Sequence, residues 1–207
     1  KMPGIDNKSD VAICNLALGH LGVSSEINNL TTEKTAEAAA CRRYYTTARD
    51  VSLRDMKCTF ATKFATLALV EDDPNSEWAY SYRYPSDCLY FRRILSGTRN
   101  DSRGSRIAYK IASDTVGKLI YTDQSDAECE YTKLADNPLL WPDDFIMAVS
   151  YLLAGLIAPR ITRGDGIKLG DRAMALYGSM LNSVEGNASG EEQQEEPPEA
   201  ESITARE

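Results

Sequence analysis

Between residues 9 and 22 the apolar positions Val11, Cys14, Ala17, Leu18 and Leu21 recur every three or four residues, the period of one helix face. Ser9 stands where an N-cap belongs, Asp10 suits the first turn, and Gly22 supplies a stop, so a first helix is expected over about 9–21. A polar stretch from Ser24 to Thr32 reads as a loop. Residues 33–57 then hold neither Gly nor Pro and are dense in Ala, Arg and Glu, which predicts a long second helix. Its apolar stripe is Ala36, Ala40, Tyr44, Ala48 and Val51, with Leu53 and Met56, while Arg42, Arg43, Arg49 and Arg54 project elsewhere.

From residue 60 the period changes. Ala65, Leu67 and Leu69 alternate with other residues, the run from Glu71 to Ser76 breaks the pattern, and Trp78, Tyr80, Tyr82 and Tyr84 alternate strictly up to Pro85. Further strand-like runs at 88–95, 107–111, 118–122 and 127–134 are separated by turn-rich segments. A small antiparallel sheet of hairpins over about 62–134 is expected. Helical signals return at Pro142, Asp143 and Asp144, which suit a helix start, and open a helix over about 142–158 that is apolar nearly all round. A last helix over about 167–184 carries Ile167, Ala173, Leu176, Tyr177 and Met180 as its stripe. The expected class is α+β and predominantly helical: a bundle of N- and C-terminal helices, a small hairpin sheet inserted in the middle, and an extended acidic tail. The body is then residues 1–184 and the tail 185–207.

Charge sharpens this division. The formal charge is −8, and residues 185–207 contribute eight Glu and one Arg of it, so residues 1–184 are near neutral with 23 acidic and 22 basic groups. The tail has only Ile203 as a sizeable aliphatic, too little apolar area to offset its ordering entropy, so it is expected to be disordered in isolation and to order on a partner. The longest uncharged apolar run, 145–159, has fifteen residues, short of the roughly 20 of a spanning helix, and no signal-peptide pattern opens the chain. A soluble protein made in the cytosol is the expectation.

Candidate chemistry is thin. Cys14, Cys41, Cys58, Cys88 and Cys129 are odd in number, lie 17 to 41 residues apart and form no CxxC pair; with His20 as the single histidine, neither a zinc finger nor a disulfide framework is expected. Reduced core thiols fit better. His20 lies just before Gly22 and reads as a helix-terminal histidine, not as the base of a triad. The Gly164 to Gly170 run resembles a phosphate loop only loosely, because it follows a helix and its last Gly is one residue late. Asp143-Asp144 point about 100° apart on a helix and serve as capping charges, and Glu71-Asp72-Asp73 reads as a solvated turn. No catalytic residue, cofactor or metal is expected. Two basic segments are more informative: 42–63 carries six Lys and Arg against two Asp, and 83–118 carries eight against three, with Tyr82, Tyr84, Tyr90, Phe91 and Tyr109 interleaved. They fit either nucleic acid or a solvated face with intersubunit ion pairs.

Several segments, in order, resemble one family. These are Asp10-Val-Ala-Ile-Cys-Asn-Leu-Ala-Leu-Gly-His-Leu-Gly22, Ala38-Ala-Ala-Cys-Arg-Arg-Tyr-Tyr45, Ala48-Arg-Asp-Val-Ser-Leu-Arg54, Phe60-Ala61, Trp78-Ala-Tyr-Ser-Tyr-Arg-Tyr-Pro-Ser-Asp-Cys-Leu89 and Trp141-Pro-Asp-Asp-Phe-Ile-Met-Ala-Val-Ser-Tyr-Leu-Leu-Ala154. Together, over roughly residues 9–184, they are similar to the tail tubular protein A group of bacteriophage head-to-tail adaptors. The resemblance implies a structural virion protein assembled in the host cytoplasm and placed at the head–tail junction. It implies a ring, twelve-fold by analogy with the portal, that docks on the portal protein, extends the channel for double-stranded DNA without reading its sequence, and attaches a downstream tail or nozzle protein. No membrane partner is implied.

On that basis Arg42, Arg43, Arg49 and Arg54 are candidates for the ring interface or channel. Glu191, Glu192, Glu195, Glu196 and Glu199, with Ile203 as apolar anchor, are candidates for docking on the portal or a neighbouring subunit. Two other functions are weighed: a phage peptidoglycan hydrolase, for which no spaced acidic pair can be named, and a DNA-binding regulator using the basic 83–118 region.

Overall fold

The computed structural model describes residues 8–99, 106–162 and 166–191, with side chains up to residue 181. The chain divides into two compact units, one built from Lys1–Ala61 and Leu134–Ala188, the other from Thr62–Lys133.

In the first unit, α1 is Asp10–His20, α2 Ala36–Met56, α3 Asp143–Ile161 and α4 Gly166–Glu191. The Ser9 hydroxyl caps α1 by accepting from the Ala12 amide, and Gly22 leaves the helix with φ +70°, a conformation that favours glycine. Helix α3 is the core: Phe145, Ile146, Ala148, Val149, Leu153, Ala154, Ile157 and Ala158 are all buried, and it packs on both α1 and α2. At 19 residues it is longer than the apolar run suggested, and it has the length and composition of a membrane span. Its burial against α1 and α2 is what a core helix shows.

Small residues let α4 approach α3. A Cβ added at Gly170 would stand 3.2 Å from the Ala158 Cβ, and one at Gly155 would stand 2.7 Å from Met174. The glycines of the 164–170 run therefore include Gly170, which serves close helix packing, and Gly166, which opens α4. Along α4, Ala173 and Tyr177 are buried, but Ile167 is 73% exposed and Leu176 is 37% exposed, so two members of the expected stripe lie off the buried face. The helix also runs beyond Val184 to Glu191, past the expected start of the tail.

The second unit overturns the expected fold class. Its described residues contain seven strands: β1 (Thr62–Thr66), β2 (Ala68–Asn75), β3 (Trp78–Arg83), β4 (Cys88–Ile94), β5 (Tyr109–Ser113), β6 (Lys118–Thr122) and β7 (Glu128–Lys133). They form two antiparallel sheets, one ordered β1-β7-β4 and the other β2-β3-β6-β5. The protein is thus a mixed α and β structure, not a helical bundle with a small inserted hairpin sheet. The physical reason is the inner faces of the strands: Leu67, Tyr82 and Ile120 meet Phe91, Ile94, Cys129 and Tyr131 in a hydrophobic core of their own. Pairing is also less local than hairpins would give, since β7 lies between β1 and β4 with Phe64 opposite Glu130 and Phe91 opposite Tyr131.

The segment from Glu71 to Ser76 does not end a strand. Strand β2 runs through Glu71, Asp72 and Asp73 to Asn75 at the edge of its sheet, with irregular register and Asp73 at φ 49°. Asp tolerates that left-handed conformation better than most residues, and Pro74 is acceptable on an edge strand.

Candidate functional site

The loop before α2 is fixed by polar side chains. Asn15 receives the Ile27 amide at 2.8 Å and donates to its carbonyl at 3.0 Å, while the Glu33 carboxylate accepts from the Asn28 and Asn29 amides. Those two backbone bonds hold the Glu33 carboxyl below its ordinary range. The Thr35 hydroxyl then caps α2 by accepting from the Ala38 amide.

This local structure sorts the four candidate arginines into two roles. Arg42 turns back on the loop, where Nη1 donates to the carbonyls of Leu30 at 2.6 Å, Glu33 at 2.7 Å and Thr31 at 3.4 Å. Arg49 is largely covered and its Nε donates to Asp50 at 2.7 Å. Arg43 and Arg54 are exposed, and neither has a partner among the described residues. At 100° per residue they fall within about 20° of one another on the helix surface, about 16 Å apart along it. Lys57, the C-cap residue with φ 45°, extends this line and is exposed as well. Sequence reasoning missed Lys57; its position three residues after Arg54 was the available signal.

Of the other two α2 acids, Glu37 lies in the first turn and Asp55 accepts from the Tyr177 hydroxyl at 3.0 Å. Arg43, Arg54 and Lys57 form an exposed basic stripe with no ion pair among the described residues, flanked by the half-buried Tyr44 and Val51. Of the four candidate arginines, the structure brings only Arg43 and Arg54 onto this exposed line.

The other basic segment behaves differently. Arg83 makes two parallel bonds of 3.0 Å to Asp114, which hold that carboxyl far below its ordinary range. Glu130 accepts from Arg92 at 3.1 Å and from Arg93 at 2.6 Å, and Arg92 also reaches the hydroxyls of Thr132 and Thr62. Lys118 lies 5.0 Å from the centre of the Tyr84 ring, and Lys110 is 3.7 Å from Glu77. Of the seven cations of 83–118 among the described residues, five are thus occupied within the unit, one of them by a ring; Arg99 and Arg106 are exposed beside residues 100–105. Next to this network, the Lys63 Nζ and the Tyr131 hydroxyl both donate to Asp87 at 2.7 Å, and burial followed by the Asp87 bond pushes the Tyr131 hydroxyl up to about 12.

His20, the last residue of α1, lies 2.9 Å from the Ser150 hydroxyl and stacks on Tyr151 with ring centres 4.2 Å apart. Ser150 is wholly buried inside α3 and donates its own proton to the Met147 carbonyl at 2.7 Å. The pair thus ties α1 to α3, and burial lowers the His20 pKa from its ordinary value. The five cysteines are free. Cys14 and Cys41 hydrogen-bond to each other inside the α1–α2 packing, and that bond, with burial, pushes the Cys14 thiol far up. Burial pushes Cys129 up to about 11. Protonated thiols of this kind are poor nucleophiles. Among the described residues, no group of three or more His, Cys, Asp or Glu could hold a metal ion.

Glu192, Glu195, Glu196, Glu199 and Ile203 of the expected acidic docking segment lie outside the described residues; Glu191 is the last residue of α4.

No family model matches the chain, and a search of the curated proteins returns no match.

Proposed function

We propose that this chain is a structural adaptor of a bacteriophage virion. Copies of it assemble into a ring, dock beneath the portal, lengthen the DNA channel and offer a face to the tail. The observation that carries the reading is the placement of the resembling segments. They build α1, most of α2, strand β3 with the start of β4, and most of α3, and they supply central packing residues of each unit: Ile13 and Leu18, Ala48 and Leu53, Tyr82, and Trp141 with Phe145.

One of these segments, 78–89, is also a structural node. Its Tyr82 hydroxyl reaches the Gln124 carbonyl, its 85–88 turn is closed by a bond from the Cys88 amide to the Pro85 carbonyl, and its Asp87 gathers Lys63 and Tyr131. The reading is further supported by the charges of 83–118. A regulator reading DNA needs free cations to meet phosphates, whereas here most are spent on carboxylates and rings within the unit.

The test is attachment. Purified protein added to DNA-filled, tail-less heads carrying the cognate portal binds them and restores tail addition if the proposal holds. Heads that sediment without the protein refute it.

A further inference from the structure

Resting on the adaptor reading, we propose that the basic stripe of α2 is the docking surface for the acidic β2–β3 hairpin of a second copy of this chain. Three observations point to this occupant. First, Arg43, Arg54 and Lys57 are exposed, aligned and without an ion pair among the described residues; of the three acids of the same helix, Glu37 lies in its first turn, Asp50 pairs with Arg49, and Asp55 accepts from Tyr177. Second, the β2 edge strand and its turn carry Glu71, Asp72, Asp73 and Glu77 with no basic residue from Leu69 to Ala79. Glu71, Asp72 and Asp73 are exposed and have no ion-pair partner among the described residues. Third, both surfaces have an apolar margin: Leu69 and Val70, 52% and 43% exposed, precede the acids, and Tyr44 and Val51 flank the arginines.

Three unpaired cations on one surface thus face three unpaired anions on the other, and each has aliphatic or aromatic area beside it that water would leave. Charges of this kind set orientation and rate of encounter, and the apolar margins add affinity. The contact is heterologous, since the surface used on one copy differs from the surface used on the next. Such a contact repeats from copy to copy and closes into a ring when the rotation allows. The near neutrality of residues 1–184 as a whole keeps crowded copies from repelling one another.

Charge reversal tests this directly. One variant carries Arg43→Glu with Arg54→Glu, the other Glu71→Lys with Asp73→Lys; reversal keeps the β2 edge charged and so still guarded against strand pairing. Circular dichroism confirms folding of each, and sedimentation velocity at low and high salt reads assembly. Wild-type protein is expected to assemble and to weaken with salt, and each variant alone to assemble at least about tenfold less well, because its two surfaces now repel.

The equimolar mixture is expected to recover assembly, since the acidic α2 of one variant meets the basic hairpin of the other and the remaining junction is native. Two folded variants that assemble like wild type overturn the inference alone, as does a mixture that fails to recover. Loss of duplex-DNA binding by Arg43→Glu/Arg54→Glu with unchanged assembly assigns the stripe to nucleic acid and also overturns it. Wild-type protein that stays single both in solution and with portal refutes the ring reading itself.

Discussion

Arg42 and Arg43 are neighbours in sequence with opposite structural roles, and replacing each with alanine separates them. Both sit inside α2, so each replacement changes helix propensity by the same small amount and removes one positive charge. Only Arg42 loses contacts: its Nη1 donates to the Leu30 and Glu33 carbonyls at 2.6 and 2.7 Å, with a weaker approach to Thr31. A hydrogen bond from a charged donor contributes about 1.5–3 kcal/mol when shielded, and solvent exposure here cuts that down. Two good bonds at an exposed site should be worth about 1–2 kcal/mol together. Arg43→Ala should fall within about 0.5 kcal/mol of wild type, as surface changes without partners do.

Urea denaturation followed by tryptophan fluorescence provides the assay, because Trp141 is wholly buried in the same unit as α2. The midpoint of Arg42→Ala should drop with an unchanged slope, while that of Arg43→Ala stays in place. Equal midpoints for the two variants would refute the division of roles.

Other outcomes follow from the packing and the charges. Trp141→Ala removes a ring that packs edge-on against Phe145 at 5.0 Å and donates to the Ala135 carbonyl; it should cost about 3–5 kcal/mol in urea unfolding. Gly170→Val forces side-chain atoms into Ala158 and should destabilise by about 1–3 kcal/mol, whereas Gly178→Ala, with open space around its Cβ, should stabilise by about 0.5–1 kcal/mol; thermal melts of the pair check the contrast. Burial lowers the His20 pKa, so below about 6.5 the unfolded chain takes up a proton that the folded chain resists. Stability from this group is therefore full above pH 6.5 and falls as pH drops through the folded value; urea midpoints across that window should show the slope, and His20→Gln should flatten it.

Sequence legibility followed the range of the interactions. Helix ends were legible because caps are local: Ser9 and Gly22 lie within two residues of the helix they bound. The strands were mostly legible as strands, but not their partners. Tyr131 and Phe91 look alike in any hairpin, and only the distant pairing of β7 with both β1 and β4 makes a second core. Glu71 to Asp73 read as a turn because acids disfavour strands, yet an exposed edge strand tolerates them and is protected by them. The arginine stripe was legible only as a set. Which of its members are free depends on the 24–35 loop folding back to present its carbonyls to Arg42, and no helical period reports that.

In the proposed role the chain works by fitting against copies of itself and against the portal. Electron microscopy of the protein mixed with purified cognate portal tests it most directly. The expected result is a closed ring of density beneath the portal, sharing its rotational axis and absent when portal is imaged alone. Unchanged portal particles beside isolated monomers would contradict it.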